Sequence, residues 1–419
     1  MTATGHRRRL DVVASAPRPV YVVWELTLAC DHACTHCGSR AGVARDRELT
    51  IAEAVAVAGQ LADAGTREVI LIGGEAYLHD GFLDVVRALA GRGVTVGLTT
   101  GGRGVTAELA TAMKAAGLSQ ASVSVDGLEA THDRMRHRRG SFADALAALD
   151  RMRAAGIAIT ANTNVNRSNR DDLEALYAVL RDRGIVGWRV QLTAPLGRAA
   201  DRVAMILQPW DLLDVVPRIA ALKERARGDG ITVMPGNNLG YFGPEETRLR
   251  SLRPGDRDHW RGCQAGKFVM GIESDGAVKG CPSLQTAHYV GGNLQDRPLA
   301  DIWRDAPELT WNRGRTVDAL WGFCRTCDFA DECLGGCTFT AHAILGRPGN
   351  NPYCHYRART LARRGQRERL VPGAAADGLP FDNGTFELVV EPLDAPDPGA
   401  TVAGDALVQI DRRPRRREA

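Results

Sequence analysis

The sequence predicts an α/β chain, with a parallel sheet covered by helices over residues 21–234 and a small Cys-rich region after it. Three observations predict it. Short apolar runs alternate six times with helix-period segments. Gly65, Gly156 and Gly184 fall where helices stop. The ten cysteines divide between one strand end and a Gly-rich stretch near the C-terminus. Consecutive βα units build either a partial barrel or a doubly wound sheet. In both, the ligand site lies at the carboxyl ends of the strands.

The strand candidates are 21–28, 68–72, 94–99, 121–125, 158–165 and 188–192. Helix-period segments lie at 51–64, 81–90, 107–116, 142–155 and 173–183, and a longer one at 210–227 follows the sixth strand. Thr50 with Glu53 reads as a capping box at the first helix. Residues 1–20 read as a tail, and 235–364 as a bridging and Cys-rich region organised by metal rather than by a large core. Residues 365–419 read as an extension of loop composition, in which 386–390 and 406–410 are expected to pair as strands. Its basic end, 412–417, reads as a solvated tail.

Composition narrows the function classes. The 419 residues carry 53 Lys plus Arg against 50 Asp plus Glu, a net charge of +3 that leaves no nucleic-acid footprint. No stretch approaches the ~20 apolar residues of a membrane span, and no apolar run of signal length follows the N-terminal arginines. A cytoplasmic protein is therefore expected, in which clustered cysteines hold metal rather than form disulfides.

Cys30, Cys34 and Cys37 follow directly on the first strand, and no cysteine lies between residues 38 and 262. Thiolates are soft ligands suited to zinc or iron–sulfur clusters. Structural zinc needs a fourth protein ligand, here His32 or His36. A [4Fe–4S] cluster on three cysteines leaves one iron open, which is a catalytic arrangement at a strand end.

This x3/x2 spacing after the first strand resembles the signature of the radical SAM superfamily. The resemblance implies a partial (β/α)6 barrel in which S-adenosylmethionine chelates the open iron. It extends to Gly73-Gly74-Glu75 after the second strand, the turn that receives the amino group of the cofactor; Ala76 stands where the family usually has Pro. Thr99-Thr100-Gly101-Gly102 ends the third strand, and Ser122 to Gly127, with Ser124 and Asp126, is similar to the ribose-facing strand. His132-Asp133-x2-Arg136 resembles the segment that places an Arg near the carboxylate. Asn162, Asn164 and Asn166 share one face of the fifth strand. Asn164 and Leu192 join the implied cofactor contacts, and His36 is placed to stack near the adenine.

Cys263, Gly276 and Cys281, then Cys324-x2-Cys327-x5-Cys333-x3-Cys337 and Cys354, resemble the SPASM extension of that superfamily. A pair of zinc ribbons is the alternative. The resemblance implies two auxiliary [4Fe–4S] clusters, three clusters in all. Cys324, Cys327, Cys333 and Cys354 would hold the outer one, and Cys263, Cys281 and Cys337 the inner one. Residues 264–275 lack the further cysteine that some relatives carry. The inner cluster is thus one thiolate short, closed by another ligand or open to substrate.

The implied chemistry is cleavage of S-adenosylmethionine to a 5′-deoxyadenosyl radical and hydrogen abstraction from substrate. The leading expectation is a ribosomally made peptide that receives a cross-link or an oxidation; epimerisation is disfavoured because no cysteine lies outside the two motifs. The alternative is a small molecule: an alcohol, an amino sugar or a porphyrin precursor. A non-catalytic electron-transfer protein is the remote third reading. Only about 20 residues precede the first strand, too few for a leader-binding domain, so a separate leader-binding protein is an expected partner. A flavodoxin- or ferredoxin-type reductant is another. Gln191, Asn237, Asn238 and Tyr241 are the candidate substrate contacts.

Overall fold

Seven strands follow one another in order across a parallel sheet: β1 (Tyr21–Glu25), β2 (Glu68–Ile72), β3 (Thr95–Thr100), β4 (Gln120–Ser124), β5 (Ala158–Val165), β6 (Gly187–Leu192) and β7 (Thr232–Pro235). The computed structural model describes residues 16–397 and Gly399. Helices connect the strands: α1 (Ile51–Asp63), α2 (Phe82–Ala90), α3 (Ala107–Ala116), α4 (Glu129–Arg136), α5 (Ser141–Ala154), α6 (Leu173–Asp182) and α7 (Leu212–Gly228). The register advances evenly, so the strand ends that carry the motifs sit side by side; Ser124 stands opposite Asn162, and Asn164 opposite Gln191.

The elements form for local reasons that the sequence displays. Thr50 caps α1 reciprocally with Glu53, the Glu53 N–H donating to Thr50 Oγ1 (3.3 Å) and the Thr50 N–H to Glu53 Oε2 (2.8 Å). Val57, Ala58 and Leu61 of α1 are buried, as are Val85, Val86 and Leu89 of α2. Trp24, Leu71, Leu98, Val123 and Val190 fill the sheet side of the same core. Each fully buried aliphatic side chain contributes about 1.5–3 kcal/mol.

Four differences from expectation have physical causes. The first strand ends at Glu25 rather than at residue 28, because the Leu28 N–H turns to Glu48 Oε1 (2.8 Å) as the chain opens into the cysteine loop. The helix α4 has no apolar stripe; it buries His132, Asp133 and Arg136, so hydrophobic periodicity gives no sign of it. A seventh strand, β7, follows α7 and pairs with β6. The expected strand 386–390 forms within Phe386–Pro392 and pairs with residues 366–372, while its expected partner, residues 406–410, lies outside the described residues.

The Cys-rich half adds to the same sheet. β8 (Val269–Ile272) pairs in parallel with β1, and β9 (Ala277–Lys279) and β10 (Val290–Asn293) continue it antiparallel. The order is β10-β9-β8-β1-β2-β3-β4-β5-β6-β7, open between its two edge strands. In the C-terminal extension β11 (Gln366–Pro372) pairs antiparallel with β12 (Phe386–Pro392). Arg367 and Arg369 grip Glu391 across the pair at 2.8 Å each, and these alternating charges hide the strand from a hydrophobicity reading. Among the described residues no helix is long and apolar enough to cross a membrane.

Candidate active site

The loop that leaves β1 carries Cys30, Cys34 and Cys37 and is drawn into a closed circuit. The Cys30 N–H donates to Gly42 O (3.2 Å) and the Gly42 N–H to Leu28 O (2.9 Å). Thr35 fastens the middle to α4, its N–H and Oγ1 both donating to Met135 O. Burial raises the thiols of Cys30 and Cys34; Glu75 and the neighbouring thiols add to the rise at Cys30. Thiolates of Cys30 and Cys34 are disfavoured until a cationic centre meets them.

A single zinc ion fits this donor set poorly. Tetrahedral zinc draws sulfurs to about 3.8 Å of one another. The one group of three or more metal-binding atoms within 4.8 Å among the described residues is Cys30, Asp31 and Glu75. Neither the three thiols nor a thiol–histidine set meets that spacing. His36 is turned away, its Nε2 3.2 Å from Asp126 Oδ2. The wider spacing of the thiols suits a multi-iron cluster.

Beside the loop stands the Gly73-Gly74-Glu75 turn. The Gly74 N–H donates to Thr27 O (2.7 Å) and the Glu75 N–H to Ala29 O (2.8 Å). A Cβ on Gly74 would lie 2.1 Å from Ala29 O and 2.6 Å from Cys30 Cβ, so only glycine lets this turn touch the cysteine loop. Ala76 opens a short 3-10 turn that the Leu78 N–H closes on Glu75 O (2.9 Å). Glu75 is buried and accepts from Thr100 Oγ1 (2.5 Å) and the Gly101 N–H (2.6 Å). Burial, with Asp31 beside it, pushes its carboxyl up to about 8.

On the other flank Asp126, fully buried at the end of β4, forms an ion pair with Arg136 Nη2 at 2.6 Å. Asp126 Oδ1 accepts from the Asn164 N–H (2.9 Å). Burial opposes ionisation of Asp126, but Arg136 and His36 outweigh it and hold the carboxyl well below its usual range. Arg136 Nη1 in turn donates to Cys34 Sγ (3.6 Å). Burial and Arg136 push His32 and His132 down to about 3, so both rings are neutral.

Several buried polar atoms around the cysteine loop have no hydrogen-bond partner: both ring nitrogens of His32, His36 Nδ1, Arg136 Nε and Asn162 Oδ1. Such atoms are costly unless a ligand meets them. A polar ligand bound here would find matching donors and acceptors in them.

The other expected residues separate into two groups. Gln191 Nε2 donates to Asn164 Oδ1 (2.8 Å), so these two join on one face of the sheet, and Ser124 is buried at the end of β4. Asn166 serves its own turn through Ser168 and Thr193. The Asn238 side chain clamps Leu192, accepting from the Leu192 N–H (3.1 Å) and donating to Leu192 O (2.6 Å). Tyr241 is buried, donates to Asn237 O and accepts from the Cys337 N–H (3.1 Å). Asn237 has an exposed side chain.

Sequence reasoning passed over Asp31 and Arg198. Asp31 accepts from Tyr77 OH (3.2 Å), and Arg103 Nη1 donates to Asp31 O (2.5 Å). Arg198 clasps the cysteine loop, donating to Cys34 O (2.8 Å) and Ala41 O (2.9 Å). Gly197 before it was the available signal.

The seven later cysteines form two sets. Cys324, Cys327, Cys333 and Cys354 line one cavity together with Tyr241, Phe242, Phe323, Phe329 and Tyr356. Amide N–H groups of Phe329 and Arg357 donate to Cys327 and Cys354 sulfurs, each at 3.5 Å. Cys281 feels Cys263 and Cys337 as neighbours; burial, with their charge, pushes its thiol up to about 12. Burial likewise pushes Cys333 up to about 12 and Cys337 to about 11. The seven cysteines thus fall into two buried groups.

The family model of the Radical SAM superfamily matches residues 24–180, and that of the SPASM iron–sulfur cluster-binding domain matches 263–328. Among curated proteins, the chain is 26% identical over 383 residues to an AdoMet-dependent heme synthase of Nitratidesulfovibrio vulgaris, covering 86% of this chain and 98% of that one. It is 30% identical over 341 residues to mycofactocin maturase MftC of Mycolicibacterium smegmatis, covering 80% and 82%. Among solved structures, Streptococcus suis SuiB bound to S-adenosylmethionine aligns with TM-score 0.62 and 16% identity over 81% of this chain and 76% of that one. Native anSMEcpe with bound AdoMet aligns with TM-score 0.62 and 16% identity over 83% and 98%. These two share the fold.

Proposed function

The chain belongs to the radical SAM superfamily and carries its SPASM domain, and from that premise we propose that it modifies a ribosomally made peptide, installing a cross-link or an oxidation. The observation that carries the reading is the 30% identity to a maturase over four-fifths of the chain. Held by Cys30, Cys34 and Cys37, a [4Fe–4S] cluster would supply the one-electron reduction that cleaves S-adenosylmethionine to methionine and makes hydrogen abstraction from the substrate accessible.

The residues of this chain supply the setting. Cys30, Cys34 and Cys37 hold the catalytic cluster. Glu75, already oriented by Thr100 and Gly101, meets the ammonium of S-adenosylmethionine, whose positive charge returns it to the carboxylate form. Arg136 keeps Nε free for the carboxylate while Asp126 fixes its far side. Ser124, Asn164, Leu192 and His36 complete the enclosure. Cys263, Cys281 and Cys337 hold the inner auxiliary cluster, and Cys324, Cys327, Cys333 and Cys354 the outer one. A flavodoxin- or ferredoxin-type reductant and a separate leader-binding protein are the proposed partners, in the cytoplasm.

A second reading has an observation of its own: the heme synthase alignment covers 98% of that relative. On this reading the substrate is a porphyrin precursor. Deuterium transfer decides between them. With perdeuterated substrates, peptide-derived deuterium in 5′-deoxyadenosine supports the proposal. Transfer from an iron porphyrin propionate, with none from precursor-type peptides, overturns it.

A further inference from the structure

The C-terminal extension reaches back to the catalytic loop. Residues 373–385 connect β11 to β12, and their neck is stitched by the Gly373 N–H to Thr385 O (2.8 Å) and the Thr385 N–H to Ala374 O (2.9 Å). The strand pair is anchored at both ends of the molecule's chemistry. Glu368 takes a two-point grip from Arg357, three residues beyond Cys354, at 2.7 and 2.6 Å. The Leu370 N–H donates to Gln208 Oε1 (2.7 Å) in the segment before α7.

From that anchored neck the arm meets the turn that follows Cys37. The Phe381 N–H donates to Gly38 O (3.0 Å). Asp382 O accepts from the Gly197 N–H (2.8 Å), and Arg40 Nε donates to Asp382 Oδ1 (2.9 Å). The same carboxylate accepts from the amides of Gly378 and Leu379, so it holds its own loop and Arg40 together. The buried Phe381 ring lies beneath Lys279 of β9, with Nζ 3.8 Å from its centre.

The backbone at this meeting point is unusual. Arg40 (φ 50°), Phe381 (φ 56°) and Gly197 (φ 56°) all adopt the left-handed region. A Cβ on Gly197 would stand 2.2 Å from Gly38 O and 2.5 Å from Cys37 O. The Arg198 N–H donates to Cys37 O at 3.0 Å. Bulky residues are held in that region only where the surroundings over-determine them, as at ligand clamps.

We propose that residues 374–385 are a clamp on the Cys37 end of the catalytic loop, with Phe381 and Asp382 as positioning residues. Through Gly38, Arg40 and Gly197 they set where Cys37 stands, so the far end of the chain governs retention of the S-adenosylmethionine-binding cluster. The inference rests on the reading that Cys30, Cys34 and Cys37 hold that cluster.

The test uses full-length protein, reconstituted without oxygen, in wild-type, Asp382→Ala and Arg369→Ala forms; Arg369 lies on the same strand pair but away from the clamp. Reduced protein is followed by electron paramagnetic resonance with and without S-adenosylmethionine, and iron release to a chelator is timed. In Asp382→Ala the signal that responds to S-adenosylmethionine falls by more than half, and about a third of the iron, one cluster in three, leaves at least tenfold faster. Arg369→Ala behaves as wild type. Wild-type signal and release in Asp382→Ala, or equal losses in both variants, overturn the clamp. If Asp382→Ala does not fold, Asp382→Asn takes its place; it keeps an acceptor for Gly378 and Leu379 and removes one of the two carboxylate charges facing Arg40, the other being Asp201. A wild-type protein with no S-adenosylmethionine-responsive signal overturns the underlying reading instead.

Discussion

Replacing Asp126 by Asn isolates the electrostatic pairing that the structure places beside the catalytic loop. The carboxylate is fully buried, 2.6 Å from Arg136 Nη2 and 3.2 Å from His36 Nε2. Asn keeps the shape and an acceptor for the Asn164 N–H, so that neutral bond of about 1 kcal/mol survives. What is lost is the countercharge of a buried guanidinium, which costs about 3–5 kcal/mol when removed from one side only. The thiol of Cys34, 3.6 Å from Arg136 Nη1, relieves part of this, so a loss of about 3 kcal/mol is expected. With a urea slope of about 3 kcal/mol/M, the midpoint falls by about 1 M under anaerobic denaturation. Arg136 also loses the partner that aims it, and S-adenosylmethionine binding by calorimetry weakens by about tenfold, equivalent to about 1.4 kcal/mol. Asp126→Asn combined with Arg136→Met recovers most of the stability but none of the affinity, because it removes both charges. A single variant within 1 kcal/mol of wild type, with unchanged affinity, would show that Asp126 does not hold Arg136.

Other expectations follow from the same structure. Gly74→Ala drives a methyl to 2.1 Å from Ala29 O, and iron analysis of the reconstituted variant shows loss of the catalytic cluster while the auxiliary iron stays. Asn238→Leu strands the buried N–H and C=O of Leu192 and costs about 2–4 kcal/mol by denaturation; a stability within 0.5 kcal/mol of wild type contradicts the clamp role. Burial pushes Glu25 up to about 7, whereas the unfolded chain releases that proton near 4.5. The folded state therefore binds more protons between those values, so stability falls as pH rises from 4.5 to 7, and Glu25→Gln flattens that slope in pH-resolved melts. Cys354→Ala removes the outer cluster, and the S-adenosylmethionine-responsive resonance signal persists.

The sequence made much of the site legible because its chemistry is local. Three cysteines in eight residues, two glycines that must touch Ala29 and Thr27, and a capping box at Thr50 each act over a few positions. What it hid depends on long-range contact or on burial of polar groups. The helix α4 buries His132, Asp133 and Arg136, so its inner face looks like an exposed one. β8 has four residues and finds β1 across more than two hundred positions. Asn238 and Tyr241 looked like free polar groups after a strand, yet both spend their polar atoms on backbone, one at Leu192 and one at Asn237 and Cys337. The arm at Phe381 has loop composition, and only its contact with Gly38 gives it meaning.

Radical S-adenosylmethionine chemistry in this protein is read by the formation of 5′-deoxyadenosine from S-adenosylmethionine by anaerobically reconstituted, dithionite-reduced protein. It accumulates with wild type and, at a reduced rate, with Cys354→Ala, and is abolished by Cys34→Ala. A fully iron-loaded wild-type protein that forms none, or a Cys34→Ala variant that forms as much as wild type, would contradict that reading.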